Sequence, residues 1–117
     1  MIKGEKVRFD IHNILYSIFK QNKNLKDPYI KSIIDKHKQE DISFINNVTL
    51  NSMRYRIHID KIINEYTSKK IRDHEKILFI SAITQIVFLD FREYAVINCS
   101  VEIGKKLKIY HGFVNAF

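Results

Sequence analysis

The sequence predicts an all-α protein, a compact bundle of about five to six helices folded as a single domain over residues 1–117. Three observations carry that expectation. Gly and Pro are scarce, at 3 and 1, so the chain lacks the turn punctuation of a many-stranded sandwich or barrel. Hydrophobic residues reach 45%, enough for a core and too many for a disordered chain. Apolar residues also recur along most of the chain at the i, i+3, i+4, i+7 spacing of a buried helix face.

The first helix is expected over Lys6 to Lys20, with Ile11, Ile14, Leu15, Ile18 and Phe19 on one face. The polar run "KQNKNLK" reads as a loop. Asp27-Pro28 then supplies a capping carboxylate followed by Pro at the first helical position, a good helix start. Tyr29, Ile30, Ile33 and Ile34 give this second helix its apolar face, and it ends in "KHKQE". Asp41 is expected to cap a long third helix whose stripe runs through Ile45, Val48, Ser52, Tyr55, Ile59, Ile62, Ile63 and Tyr66. Asn46, Asn47, Asn51 and Ser52 are mediocre helix formers in its first half. Asp73 is expected to cap a fourth helix, with Glu75 in its first turn, where the helix dipole favours an acid. From Ile77 to Leu89 this segment is apolar nearly all round, which marks it as central. A turn at "DFRE" precedes a fifth helix with Val96, Ile97, Ser100, Val101 and Ile103 inward and Glu102, Lys105 and Lys106 outward. Gly104 would permit a close helix approach, and "GFVNAF" begins a sixth element.

Twenty Lys and Arg face thirteen acids, for a formal charge of +7. Such a balance suits a polyanionic partner, nucleic acid or an anionic surface, although excess lysine also serves solubility. The Ile77–Leu89 segment is too short to span a bilayer, which takes roughly twenty apolar residues. The first nine residues are too charged for a signal peptide. One cysteine, Cys99, allows no internal disulfide and fits a reducing cytoplasm.

Catalytic and cofactor signatures are missing. The histidines His12, His37, His58, His74 and His111 show no helical ligand spacing, and Cys99 has no CxxC partner, so neither a metal nor a cofactor is expected. His74-Glu75 is only half of an HExxH motif. There is no Walker loop, GxGxxG or GxSxG. Cys99, among apolar residues on a helix, reads as an inert buried thiol. The expected mode of action is binding, not catalysis. Lys3, Lys6 and Arg8 at the entrance to the first helix are candidate phosphate contacts, assisted by the dipole of its N-terminus. Lys105, Lys106 and Lys108 are the alternative cationic site. Tyr16 and Tyr110 are either stacking platforms for unpaired bases or core residues.

The order of segments also carries a resemblance. "VINCSVEIGKKL" (96–107) followed by "FVNAF" (113–117) resembles the C-terminal signature of the NusB family, an AINEAVELAK-like helix and then FVNGVL. Ile97-Asn98, Val101-Glu102, Lys105 and Phe113-Val114-Asn115 match it. "EKILFISAITQI" (75–86), "HIDKII" (58–63) and "ILYSIFK" (14–20) resemble the family's central helix, its LDxxI segment and its ALYxxxL segment. The chain departs from the pattern at Arg92, where the family has Pro, at Cys99 for the Glu of INEA, and at Asn51-Ser52 for a Gly-Val pair. Gln85 stands where many members have Glu, and the N-terminal arm is less arginine-rich.

The resemblance implies a helical bundle that binds single-stranded, boxA-like rRNA leader RNA together with a small-subunit ribosomal protein. Such a protein helps an antiterminating transcription elongation complex to form, as a monomer or a homodimer, in the cytoplasm. It further implies that the protein partner docks around Gln85, Leu89, Phe91 and Arg92, with Phe91 either an interface anchor or folded into the bundle. Phe113 and Phe117, four apart on one face, would cover the end of the bundle. Two alternatives stand beside this reading. One is an RNA-positioning domain of an RsmB-type rRNA cytosine methyltransferase. The other is a protein-interaction module without RNA binding.

Overall fold

The computed structural model describes residues 4–66 and 71–107, and within them the chain forms six α-helices and one π-helical turn, with no strand. They are α1 (Glu5–Lys20), α2 (Pro28–Ile34), α3 (Gln39–Arg54), α4 (Arg56–Tyr66), α5 (Asp73–Ile83), the π turn (Thr84–Phe88) and α6 (Glu93–Lys106). The all-α expectation holds. "KIYH" and "GFVNAF", with Lys108, Tyr110, Phe113 and Phe117, lie outside the described residues, as does Lys3.

α1 and α5 pack together at the centre, and α1 also touches α2, α3 and α6. The predicted stripe of α1 supplies Ile11, Ile14 and Leu15, all fully buried. α5 is buried all round, as its composition predicts: Ile77, Leu78, Phe79, Ile80 and Ile83 are all in the core. Ile30 and Ile33 of α2, Ile45 and Val48 of α3, and Ile59 and Ile63 of α4 complete the main cluster. Leu78 and Ile103 form a smaller one with Phe9 and Leu107. Val96, Cys99 and Gly104 are buried along α6.

Helix starts follow the chemistry at the chain ends. Asp27 caps α2 as expected, its Oδ1 accepting from Tyr29 N–H at 2.9 Å. Asp41 and Asp73 do not cap. Lys38 and Arg72 occupy those positions, and the two acids sit in the first turns of α3 and α5. There they still face the positive end of the helix dipole. Glu75 reaches back to accept from Arg72 N–H at 2.8 Å, the returning half of a capping box.

Two predicted elements differ. The long third helix is two helices that bend at Tyr55, which leaves helical geometry at φ −102° and ψ 19°. The Tyr55 ring stacks on Phe88, 4.3 Å between centroids. The bend lets α3 pack on α1 and the π turn while α4 packs on α5. The fourth helix does not run as an α-helix to Leu89. Its last turn widens, and Leu89 N–H bonds back five residues to Thr84 O at 3.0 Å. Thr84 opens this turn. Its hydroxyl donates to Ile80 O at 2.7 Å and accepts from Ser52 Oγ at 2.9 Å, so it is held from two sides.

Candidate nucleic-acid and partner interface

Two of the residues singled out in the sequence, Arg8 as a candidate RNA contact and Gln85 as a candidate partner contact, meet at the first turns of α1. Arg8 Nε donates to Gln85 Oε1 at 2.6 Å, and Nη1 points at Cys99 Sγ at 3.8 Å. The guanidinium also lies over the Phe44 ring, 5.1 Å from its centroid. Phe44 in turn packs edge-on to Phe91 at 5.2 Å. Phe91 N–H donates to Gln85 O at 2.8 Å. Arg8, Gln85, Phe91 and Phe44 thus close a ring of contacts. Residue 4, just ahead of α1, takes a left-handed conformation that suits Gly. It sits at φ +83°, and a Cβ there would stand 2.5 Å from Arg8 Nη1.

The cations of this end differ in what they face. Lys6 pairs with Asp10 at 3.1 Å, Lys105 with Glu102 at 2.9 Å, and Lys106 with Glu5 at 2.9 Å. Lys106 Nζ also lies over the Phe9 ring. Asp10 accepts a second contact from His37 Nε2 at 2.7 Å. Glu5 and Asp10 are themselves buried. Arg8, by contrast, contacts only neutral groups among the described residues. Glu5–Lys106 joins the start of α1 to the end of α6, so the two cationic sites that the sequence offers as alternatives adjoin one another. The Lys6–Asp10 and Glu102–Lys105 pairs were legible as helical spacings. The pairing of Glu5 with Lys106 and of Arg8 with Gln85 spans most of the chain, and no local signal marks it.

The expected partner surface is placed differently from its reading in sequence. Gln85 is 1% exposed and faces inward, because the widened turn rotates it toward Ser81 and Arg8. It cannot touch a partner directly. Leu89 and Phe91 are half-buried against the main core, and Arg92 is exposed just ahead of α6. Phe91 therefore folds back onto Phe44. We expect Phe91→Ala to cost about 2 kcal/mol, below the roughly 3–5 kcal/mol of a fully buried aromatic. Urea unfolding measures this, and a variant as stable as the parent would contradict the packing described.

Two concave features flank this region. Asn13, Tyr16, Ser17, Gln21, Lys23 and Tyr29 line an open polar cleft. Tyr16 is half-buried and stacks on His74 at 4.3 Å, while Tyr29 is 53% exposed. Between α4, α5 and α6 lies an apolar cavity of about 220 Å³, lined by Ile62, Tyr66, Phe79, Ile83, Val87 and Ile97 among others. Cys99 is buried, and burial pushes its thiol pKa up against the opposing pull of Arg8. Burial and a raised pKa both disfavour the thiolate. Among the described residues no group of three or more His, Cys, Asp or Glu could hold a metal ion. No helix among them is long and apolar enough to cross a membrane.

The model of the NusB family matches residues 6–117 of the chain. No curated protein and no solved structure matches it.

Proposed function

The chain belongs to the NusB family, and from that premise we propose that it is an RNA-binding transcription antitermination factor. It binds a single-stranded, boxA-like leader RNA together with a small-subunit ribosomal protein. It promotes assembly of the antiterminating elongation complex in the cytoplasm by binding alone. The observation that supports this most directly is the guanidinium of Arg8, held at the head of α1 by neutral partners. A half-buried cation whose direct contacts are neutral keeps much of its attraction for an outside anion, and guanidinium matches phosphate geometry. Lys6, Lys105 and Lys106 each spend part of their field on a neighbouring acid. Their acids offset part of that charge, so these lysines are secondary contacts in this reading. Leu89, Phe91 and Arg92 border the same ring of contacts and are the surface we assign to the protein partner.

The test is RNA binding as a function of salt. Each phosphate contact to a single strand contributes roughly 0.7 to the log–log slope. Reversing Lys6 and Arg8 together should lower affinity and flatten the slope, with Arg8→Glu alone causing most of the change. If the double variant keeps the parental slope, the contact lies elsewhere, first of all at Lys105, Lys106 and Lys108. If the ribosomal protein leaves RNA affinity unchanged, the joint-binding part of the reading fails.

A further inference from the structure

We propose that Gln85 is the positioning residue for Arg8, fixing its guanidinium through a buried neutral acceptor so that the charge and the remaining N–H groups stay available to an RNA phosphate. The inference rests on the RNA-binding reading above and adds to it a residue that never touches the RNA.

Gln85 is itself immobilised. Its Nε2 donates to Ser81 O and to Ser81 Oγ, both at 3.1 Å, so the carboxamide oxygen is the end left to face Arg8. Its own backbone carbonyl accepts from Phe91 N–H at 2.8 Å. The π turn aims it: residues 84–88 form a wider turn than an α-helix, and Gln85, its second residue, is left 1% exposed on the α1 side. A π-helical turn is uncommon and often sits at a functional site.

The geometry on Arg8 is selective. A guanidinium has five N–H groups. Nε–H is taken by Gln85 at 2.6 Å, and Nη1 has one weak contact, to Cys99 Sγ. The other N–H groups have no partner among the described residues. Gly4 removes the Cβ that would displace Nη1, and Phe44 supports the plane from one face. A carboxylate in place of the carboxamide would hold the same nitrogen more strongly but would offset the charge. A neutral acceptor holds it and leaves the charge intact.

Two substitutions separate position from charge, read by binding of a fluorescein-labelled twelve-nucleotide single-stranded RNA over a range of salt. Gln85→Glu keeps the shape and adds a counter-charge. It should lower affinity about tenfold at low salt and reduce the log–log slope by roughly 0.7, the value of one phosphate. Gln85→Met removes the acceptor and should produce a similar loss, together with loss of a sharp, exchange-protected Arg8 Nε–H resonance. In an Arg8→Ala background neither substitution should reduce affinity further, because the two residues act as one unit. Rescue of a Gln85→Glu slope by Arg8→Ala is not expected. The inference is overturned if Gln85→Glu and Gln85→Met lower the melting temperature but leave the slope at its parental value. It is also overturned if their losses persist undiminished without Arg8. If Arg8→Ala weakens binding while both Gln85 variants do not, the positioning claim fails and the RNA-binding reading stands. If the parental protein binds no RNA at all, both fail together.

Discussion

Lowering the pH from 7.5 to 4 is expected to remove about 3 kcal/mol of stability through a single side chain, His12. His12 is 1% exposed, and its pKa is lowered from 6.5 to about 4, first by burial and then by the neighbouring His74. Its Nε2 lies 3.0 Å from His74 Nδ1, and its Nδ1 has no hydrogen-bond partner among the described residues. The two rings are near-parallel, and Tyr16 stacks on the far one. A proton on His12 would therefore be buried beside another imidazole with no acid to meet it. In the unfolded chain the same residue titrates near 6.5. Between 6.5 and about 4 the unfolded state binds more protons than the folded state, so stability falls as the pH falls. It is fully present above 6.5 and fully lost below about 4. Urea midpoints across this range measure the effect. A His12→Phe variant should lose less stability over the interval than the parent. Parallel curves for the two proteins would assign the acid sensitivity to other groups.

Ile80→Ala should cost about 2–5 kcal/mol, the range of a large aliphatic side chain deleted from a rigid core. Ile80 is fully buried in the middle of α5, the helix whose every face is covered. Neighbours on α1, α3, α4 and α6 close around that helix, so no single element can collapse into the space. Val87, 57% exposed a few residues along the same chain segment, is the control: Val87→Ala should change stability by less than about 0.5 kcal/mol. Chemical unfolding with an unchanged dependence on denaturant would confirm that the loss is in stability and not in the extent of unfolding. Equal costs at the two positions would mean that α5 is not the centre of the fold.

The sequence made the central helix legible because uniform burial leaves a compositional mark. Ile77 to Ile83 is apolar on every face, and no tertiary knowledge is needed to read it. Helix α1 was legible from periodicity, and α2 from Asp27-Pro28, where capping chemistry is local. The bend at Tyr55 was not legible. The stripe from Ile45 to Tyr66 continues without a Gly or Pro, and the contact made at the break is with a ring on another element, Phe88. The π turn was hidden for the same reason, since Thr84 is held partly by Ser52, thirty-two residues away. The site shows the same division. Lys6 and Arg8 stood out as charges at a helix entrance. Gln85 was read as part of a surface at the end of a helix, and the widened turn puts it inside, 1% exposed. Its partnership with Arg8 spans seventy-seven positions and had no signal to find.

The bend at Tyr55 bears on how the chain can vary in length. It is not a loop: Tyr55 N–H still bonds to Asn51 O, and Ile59 N–H bonds back to Tyr55 O at 2.9 Å. The backbone passes from one helix to the next with no residue to spare. One added residue there would turn α4 by about 100° about its axis. Ile59 and Ile63 would leave α5, and the polar positions beside them would take their place. The connector between α1 and α2, Gln21 to Asn24, is exposed and joins helices through a short polar turn, so its length is less tightly set. An added residue is therefore expected to cost less in that first connector than at the joint between α3 and α4, which is fixed in length by the two helices it serves.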